Sequence, residues 1–282
     1  MIDEYDVPLD KAFQYGYYDE MVSLIRSIFG NALKTNPDLY FAVLTGCLRI
    51  SKESIFTGLN NLKVLTLTDV RFDEYFGFTD AEVRDMLAYY DLSGRYEEVK
   101  EWYDGYRFGN VEVYCPWDVI NYCDLLKADS EAHPQDYWSI RAEMHGAQVI
   151  DKADTRTRNE IEKLISGEEI VKEIRQELTY SELDSSIENL WSVLFTTGYL
   201  TQRGQVGTDT FKLAIPNLEI RRLFIKQIRE WFRETSQSDG ETLNEFCNAF
   251  PRQNPKKIEE LFGDYLWNTI SIRDTATRQK KR

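Results

Sequence analysis

The sequence predicts an α/β protein of about two domains. Its 282 residues are 42% hydrophobic and 29% charged, a composition that suits a folded chain with an ordinary core. Short apolar segments typical of buried parallel strands lie in residues 1–77, and from residue 78 onward most segments have helical spacing. We therefore expect an α/β core in 1–77, a helical region in 78–180, and a segment of helices and a hairpin in 181–282.

Two apolar segments and one strand end define the predicted parallel sheet. Leu39–Leu48 and Lys63–Leu67 are predicted as buried strands, and Met1-Ile2 has the character of the last residues of another, so the chain is expected to begin inside a strand. Because the carboxyl ends of strands carry the ligand site in open α/β sheets, the polar groups that follow these strands are expected to meet. Those groups are Asp3-Glu4, the loop Thr45–Lys52 and the turn Thr66–Asp69.

Local signals predict the helices. Pro8 is interpreted as a turn, and an amphipathic helix follows near Tyr18–Lys34. Thr79 and Glu82 have the spacing of a capping box, and Pro116 suits the first turn of another helix. Further helices are predicted at Arg95–Trp102, Pro116–Leu126, Asp151–Gln176, Glu241–Phe250 and Lys256–Thr269.

The segment after residue 181 has the order of a winged helix. A predicted helix, Ile187–Thr197, ends at Gly198, which is placed to cap it. Two short strands follow, Tyr199–Arg203 and Thr210–Ile215, and Pro216 opens a second helix. The order helix, two-stranded wing, helix predicts a winged-helix-like segment.

Composition narrows the classes of function. The net charge is −14 and the acidic excess lies in Met1–Ser186, which opposes general nucleic-acid binding. Only the carboxy-terminal third, with its basic end Arg278–Arg282, keeps DNA binding open.

The longest uncharged stretch, Asn189–Gln202, is too short to cross a bilayer, and no signal peptide is visible, so no membrane contact and a cytoplasmic location are expected. The cysteines show no CxxC spacing and are expected to be reduced thiols; they are Cys47, Cys115, Cys123 and Cys247.

Several motifs occur in an order that resembles a known family. Ile2-Asp3-Glu4-Tyr5-Asp6-Val7-Pro8-Leu9 resembles a Walker B segment. The further matches are Thr45–Ile50 with Ser54–Asn61, Tyr75–Thr79, Trp102–Tyr106 with Tyr114–Trp117, and Leu178–Tyr180. Together they resemble the AAA-ATPase-like proteins of bacteria and archaea, which are members of the P-loop NTPase superfamily and often carry a carboxy-terminal nuclease domain of the PD-(D/E)XK type.

The resemblance implies ATP and magnesium as cofactors and a role for four residues. Asp3 would hold the magnesium ion, and Glu4 would polarise the attacking water. Arg49 would be a sensor near the γ-phosphate, and Lys52 is a weaker candidate for binding the nucleotide. Without the resemblance, Asp3, Glu4 and Asp6 are better explained as a solvated loop and Arg49 as a surface ion-pair partner.

The phosphate-binding part of the family pattern does not occur in the sequence. A Walker A motif requires GxxxxGK[ST], and no Gly-Lys pair occurs among the 282 residues. The resemblance therefore predicts a truncated P-loop NTPase-type sheet followed by a helical lid and the winged-helix-like segment. The family strand that carries Walker A would lie between Leu39–Leu48 and Lys63–Leu67. We expect the chain to be inactive alone, or active when a second chain or a missing amino-terminal part supplies the P-loop; whether it is an enzyme stays open.

The alternative function is a non-catalytic interaction module whose winged helix binds protein or DNA. Its second helix carries basic residues at 221, 222, 226, 229 and 233, but the helix before the wing, Ile187–Thr197, carries Glu188 as its only charge. The aromatic loop Trp102–Gly109 has two interpretations: packing between the helical region and its neighbour, which is favoured, or a binding surface.

Overall fold

Helices and two small antiparallel sheets make up the described part of the fold, in agreement with a mixed α/β protein. The computed structural model describes residues 1–34, 36–47, 56, 59, 62–137, 155–178 and 189–226. The helices predicted beyond residue 226 and the basic carboxy-terminal end lie outside these ranges. Within them, no helix has the length and apolar character that a bilayer span requires.

The amino-terminal segment forms two helices joined at Gly16. Helix α1 spans Val7–Tyr15 and helix α2 spans Tyr18–Leu33; Gly16 has a φ of 79°, which turns the chain between them. The prediction of α2 is confirmed. The interpretation of Pro8 as a turn is wrong, because this proline lies in the first turn of α1, where its missing N–H is tolerated. The two helices bury one apolar stripe, formed by Leu9, Ala12, Val22, Ile25, Phe29 and Leu33.

The predicted buried strands differ most from the structure. Residues 39–47 contain one isolated parallel bridge, Ile2 to Leu44, and residues 62–67 contain no strand. Tyr40 is fully exposed and Phe41 is 76% exposed, so these residues are not buried on two faces. A strand is stabilised by a ladder of backbone hydrogen bonds to a neighbouring strand. Among the described residues, the segment 39–47 has such bonds around Ile2, and the segment 62–67 has one, from Gly109 N–H to Leu67 O. The parallel sheet therefore stays a prediction.

A helical body follows residue 78. Helix α3 spans Asp80–Tyr89 and starts with the predicted capping box of Thr79 and Glu82. A short 3₁₀ turn leads into helix α4 (Tyr96–Tyr103), a hairpin of strands β1 (Tyr106–Phe108) and β2 (Val111–Val113), and helix α5 (Pro116–Ala128). Helices α3, α4 and α5 share one core, to which Tyr114, the residue after β2, also contributes. Its fully buried members include Val83, Leu87, Val99, Tyr103, Val119 and Tyr122.

The described residues from 155 onward form a three-stranded antiparallel sheet and three helices. The helices are α6 (Thr155–Ile165), α7 (Asn189–Thr196) and α8 (residues 218–226), and the strands are β3 (Ile170–Glu173), β4 (Thr201–Gln205) and β5 (Thr210–Ala214). The sheet order is β3-β5-β4.

The sequence correctly predicts the β4–β5 hairpin and the cap at Gly198, whose φ is 84°. The helix predicted over Asp151–Gln176 is wrong after Ile165, because Gly167 adopts a φ of 86° and β3 then pairs with β5. One hydrophobic cluster extends from Ile161 to Phe224, across the predicted domain boundary near residue 180, and the boundaries themselves stay predictions.

The β1–β2 hairpin joins the helical body to this sheet. The backbone N–H of Arg107 donates to Thr201 Oγ1 at 2.8 Å, and Gln202 Nε2 donates to the carbonyl of Gly109 at 2.8 Å. Tyr103 is fully buried and Tyr106 packs against the cluster of the three-stranded sheet. These contacts support the packing interpretation of the aromatic loop.

Candidate functional site

The predicted Walker B residues lie beside the loop that follows residue 44. Ile2 and Leu44 form a parallel bridge, in which Ile2 N–H donates to Val43 O at 2.9 Å and Thr45 N–H donates to Ile2 O at 3.0 Å. Tyr5 N–H then donates to Thr45 O at 2.9 Å. This pairing fixes the register of residues 2–5 against residues 43–45. It brings two of the predicted polar groups together, Asp3-Glu4 and the start of the loop at Thr45, and this site is called the Asp3 edge below.

Thr45 connects the two acidic residues. Its hydroxyl donates a hydrogen bond to the carboxylate of Asp3, and the same oxygen accepts a hydrogen bond of 3.3 Å from the backbone N–H of Glu4. Asp3 and Glu4 are exposed, and Thr45 is half-buried. The side chain of Thr45 therefore orients the Asp3 carboxylate at the surface and fixes the backbone that carries Glu4. Thr45 was not among the four predicted site residues, although it lies in a predicted motif.

Close packing holds the turn after Thr45 against residues 5 and 6. A Cβ placed on Gly46 would lie 2.6 Å from Tyr5 Cε1 and 2.8 Å from Asp6 Oδ1, so this position accepts only glycine without a shift of its neighbours. Asp6 is buried, and its Oδ2 accepts a hydrogen bond of 2.9 Å from Cys47 N–H. Asp6 thus has a structural role distinct from that of the exposed Asp3.

Glu4 has an uncommon backbone conformation. Its φ is 51°, in the left-handed region that non-glycine residues rarely adopt. Such conformations cost on the order of 1–3 kcal/mol and persist where the surroundings hold them, often at active sites. At Glu4 the holding contacts are the hydrogen bonds made by Thr45 and the following turn into α1. The strain lies at the residue that the resemblance designates as catalytic.

The electrostatic environment of the edge is negative. The Cys47 residue is exposed but its thiol is largely desolvated, and this desolvation together with the charges of Asp6 and Glu4 raises the thiol pKa. A raised pKa keeps the thiol protonated, and a protonated thiol is a weaker nucleophile than a thiolate. The same negative charges favour a cation.

Asp3 and Thr45 can be compared with the ligands that magnesium uses in nucleotide sites. Across the described ranges, no group of three or more His, Cys, Asp or Glu side chains is arranged to hold a metal ion. Mg²⁺ in nucleotide sites uses one or two carboxylates together with phosphates and waters, so Asp3 with the Thr45 hydroxyl fits that chemistry.

The remaining predicted polar groups include the turn Thr66–Asp69 and the residues Arg49 and Lys52. Arg49 and Lys52 lie outside the described residues. The turn Thr66–Asp69 is ordered by hydrogen bonds from Thr66 N and Oγ1 to Asp69 Oδ2, at 2.7 and 3.0 Å. Its neighbours are Gly109, which donates to Leu67 O, and Gln176, which donates to Thr68. The turn therefore contacts the hairpin and the segment after β3.

Three basic residues of the three-stranded sheet and α8 have acidic partners. Arg203 pairs with Glu112 at 3.2 Å, Lys212 pairs with Glu169 at 3.5 Å, and Arg222 pairs with Asp136 at 3.2 Å. Side chains with acidic partners are less available to phosphates of DNA, so these contacts favour a packing role for these three residues.

Comparison with known proteins finds a family model that matches the amino-terminal part of the chain. Residues 1–56 match the model of the AAA-ATPase_like family, described as a predicted AAA-ATPase. The resemblance to AAA-ATPase-like proteins is confirmed. The matched range contains Asp3, Glu4 and Thr45, and it also contains Arg49 and Lys52.

A relative extends the similarity beyond residues 1–56. The chain is 28% identical over 231 residues to an uncharacterized protein in the vnfD 5′ region of Azotobacter chroococcum mcd 1. The aligned part is 78% of this chain and 40% of the relative, so the chain spans less than half of that protein's length. No solved structure matches the chain.

Proposed function

We propose that residues 1–56 carry the Walker B half of an ATP site, in which Asp3 holds the magnesium ion of a bound nucleotide. The observation that carries this proposal is the contact of Thr45 with both Asp3 and Glu4, because it forms a defined polar edge within the family-matched range. Asp3 is exposed there, so its carboxylate can reach a metal–nucleotide complex.

Magnesium would act at this edge as a charge-neutralising ion between the carboxylate and the phosphates. In this chain, the Thr45 hydroxyl holds the Asp3 carboxylate in one orientation by donating to one of its oxygens. The other oxygen remains for the ion or for a water bound to it. This arrangement reduces the side-chain entropy that Asp3 would lose when the ion binds.

Glu4 would accept a proton from the attacking water and orient it. Its backbone N–H is held by Thr45, and its φ of 51° directs the chain away from the strand direction immediately after Asp3. Adjacent residues of a straight strand point to opposite faces, so this backbone turn allows two successive carboxylates to serve one edge. Arg49, and with less support Lys52, would neutralise charge near the γ-phosphate.

The phosphate cradle would come from a P-loop that is not among the 282 residues, carried by a further amino-terminal part of the polypeptide or by a second chain. Exposed apolar side chains of the segments 39–43 and 62–65 support this proposal, because an added strand between those segments would cover them. They are Tyr40, Phe41, Val43, Leu62, Val64 and Leu65.

Calorimetric titration with Mg-ATP tests the proposed site. The 282-residue chain is expected to bind with a dissociation constant in roughly the millimolar range, since the P-loop amides and lysine are absent from its sequence. Asp3→Asn is expected to weaken binding by about tenfold, the effect of losing one charged ligand. Asp38→Asn, an exposed aspartate in the loop before residue 39, is the matched control and is expected to leave binding unchanged. Equal affinities of the wild-type chain and Asp3→Asn would contradict the proposal.

We also propose that the segment from α6 to α8 is a winged-helix-type module that packs against the helical body. The order helix, strand, helix, hairpin, helix supports this assignment. The ion pairs of Arg203, Lys212 and Arg222 favour packing over DNA contact. Binding of a labelled DNA duplex at low salt, measured by fluorescence anisotropy, is expected to be absent; binding that weakens steeply as salt rises would support the DNA alternative.

A further inference from the structure

A cavity of about 160 Å³ lies between the β1–β2 hairpin and the turn from α7 into β4. Its apolar wall includes Leu67 and Phe195, and its polar wall includes Arg107, Thr197 and Thr201. None of the described residues that line it is acidic. The volume exceeds what a few waters need and is enough for a small oxyanion with its hydrating waters.

Arg107 is the charged group of this cavity, and its guanidinium lacks a partner. Nε of Arg107 is buried and makes no hydrogen bond, and among the described residues no carboxylate lies within ion-pair distance of this side chain. Glu112 stands directly opposite Arg107 in the β1–β2 register, but Glu112 pairs with Arg203 at 3.2 Å instead. The nearest carboxylate in the hairpin is thus committed to a different arginine.

An unpaired, half-buried guanidinium has an energetic cost. Buried polar N–H groups nearly always have an acceptor, and a buried cation without a counter-charge loses hydration that nothing replaces. The chain has a net charge of −14, so carboxylates are abundant elsewhere, yet none lines this cavity. An anion from solution would provide the counter-charge and the hydrogen-bond acceptor that the Arg107 guanidinium lacks among the described residues.

Thr201 provides a second donor. Its side chain is 3% exposed, and its hydroxyl oxygen accepts the 2.8 Å hydrogen bond from the backbone N–H of Arg107. That bond uses a lone pair of the oxygen and leaves the hydroxyl proton available. By contrast, the Thr197 hydroxyl proton is committed to the carbonyl of Val193 at 2.6 Å.

We propose that this cavity binds a small oxyanion, a phosphate or carboxylate group, through the guanidinium of Arg107 and the hydroxyl of Thr201. A charged N–H donor and a neutral O–H donor among the lining residues, with no acid among those that the structure describes, select an anion over a cation or a neutral molecule. The proposed anion contacts the hairpin that joins the helical body to the three-stranded sheet, so its binding stabilises the junction of these two parts. This site is independent of the Asp3 edge.

The test uses the full chain with inorganic phosphate as the probe. Titration calorimetry and thermal unfolding are compared in phosphate and in chloride at equal ionic strength. The wild-type chain is expected to bind phosphate and to unfold at a higher temperature in it. Arg107→Met is expected to weaken binding by roughly tenfold or more, as for loss of a charge-assisted hydrogen bond, and to remove the thermal shift.

Controls separate binding from a structural role. Arg71→Met removes an exposed arginine that does not line the cavity and is expected to keep the wild-type phosphate response. In chloride, Arg107→Met is expected to unfold no lower than the wild-type chain, because an unpaired cation has been replaced by an apolar side chain. A parallel titration with acetate distinguishes a carboxylate from a phosphate site, and binding of either anion supports the proposal. Absence of binding by both anions, or equal binding to Arg107→Met, would overturn it.

Discussion

The hydroxyl of Thr45 donates a hydrogen bond to the carboxylate of Asp3, a residue 42 positions earlier in the chain. The same hydroxyl oxygen accepts the backbone N–H of Glu4. One side chain on the loop after residue 44 therefore organises both acidic residues that the Walker B resemblance singles out. Their placement depends on the parallel pairing of Ile2 with Leu44, and hence on the amino-terminal segment remaining docked against this loop.

Asp80 is expected to stabilise the helical body in a pH-dependent way. Its carboxylate accepts hydrogen bonds from Tyr96 at 2.5 Å, Arg84 at 2.8 Å and Tyr114 at 2.8 Å, and these bonds hold its pKa well below the usual range. Because the folded pKa is depressed, the stabilisation is present above the ordinary aspartate pKa and is lost as pH falls below about 4.

Asp80→Asn is expected to lower the free energy of unfolding at neutral pH by about 1 kcal/mol, a modest value because the carboxylate is half exposed. Urea unfolding at several pH values measures the difference, which should narrow below about pH 4. Asp85→Asn, an exposed residue on the same helix, is the control and should show no such trend. A difference that grows in acid would refute the assignment.

The Tyr103 hydroxyl is expected to hold the segment after α5 in place. It donates to Gln135 O and accepts from Gln135 N–H, both at 3.1 Å, while its ring is fully buried. Tyr103→Phe leaves these two backbone groups without their partner and should cost about 1–3 kcal/mol in urea unfolding. Tyr89→Phe, at a position 80% exposed, should change stability by less than about 0.5 kcal/mol. Equal effects of the two substitutions would show that the buried hydroxyl contributes nothing.

Gly105 is expected to be required for contact between the helical body and the start of α8. Its φ is 95°, and a Cβ at this position would lie 2.1 Å from Pro216 O. Gly16 has a φ of 79° with open space around it, so Gly16→Ala measures the backbone strain alone, about 1–2 kcal/mol. Gly105→Ala should lower the unfolding temperature clearly more than Gly16→Ala does. If Gly105→Ala and Gly16→Ala lower the unfolding temperature equally, Pro216 moves aside at no cost and the close contact does not contribute to stability.

Local chemistry explains which elements the sequence predicts. The capping box of Thr79 with Glu82 and the proline at 116 act within one helical turn, and both helices begin where these residues predict. Strand β3 was missed because its apolar pair, Ile170-Val171, is short and flanked by charges, and its strand character comes from pairing with β5 about 40 residues later.

At the candidate site, too, residues in a contiguous motif could be predicted, whereas contacts between residues distant in sequence could not. Asp3 and Glu4 were predicted from a contiguous motif, and their proximity to the loop after residue 44 follows from the expected strand ends. The role of Thr45 was not predicted, because a threonine has no distinctive pattern in sequence and its contact depends on the exact register of Ile2 against Leu44. The apolar runs at 39–48 and 63–67 were predicted as buried strands because hydrophobicity alone does not reveal whether a pairing strand is present.

Iron-directed cleavage tests the central claim most directly, because it locates a weakly bound metal. Fe²⁺ replaces Mg²⁺ beside bound ATP, ascorbate and peroxide generate hydroxyl radicals at the ion, and mass spectrometry identifies the broken peptide bonds. Cleavage is expected at residues 2–4 and 44–46, suppressed by excess Mg²⁺ and by Asp3→Asn but not by Asp38→Asn. Cleavage confined to other parts of the chain, or unchanged in Asp3→Asn, would contradict the assignment of Asp3 as the metal ligand of a nucleotide site.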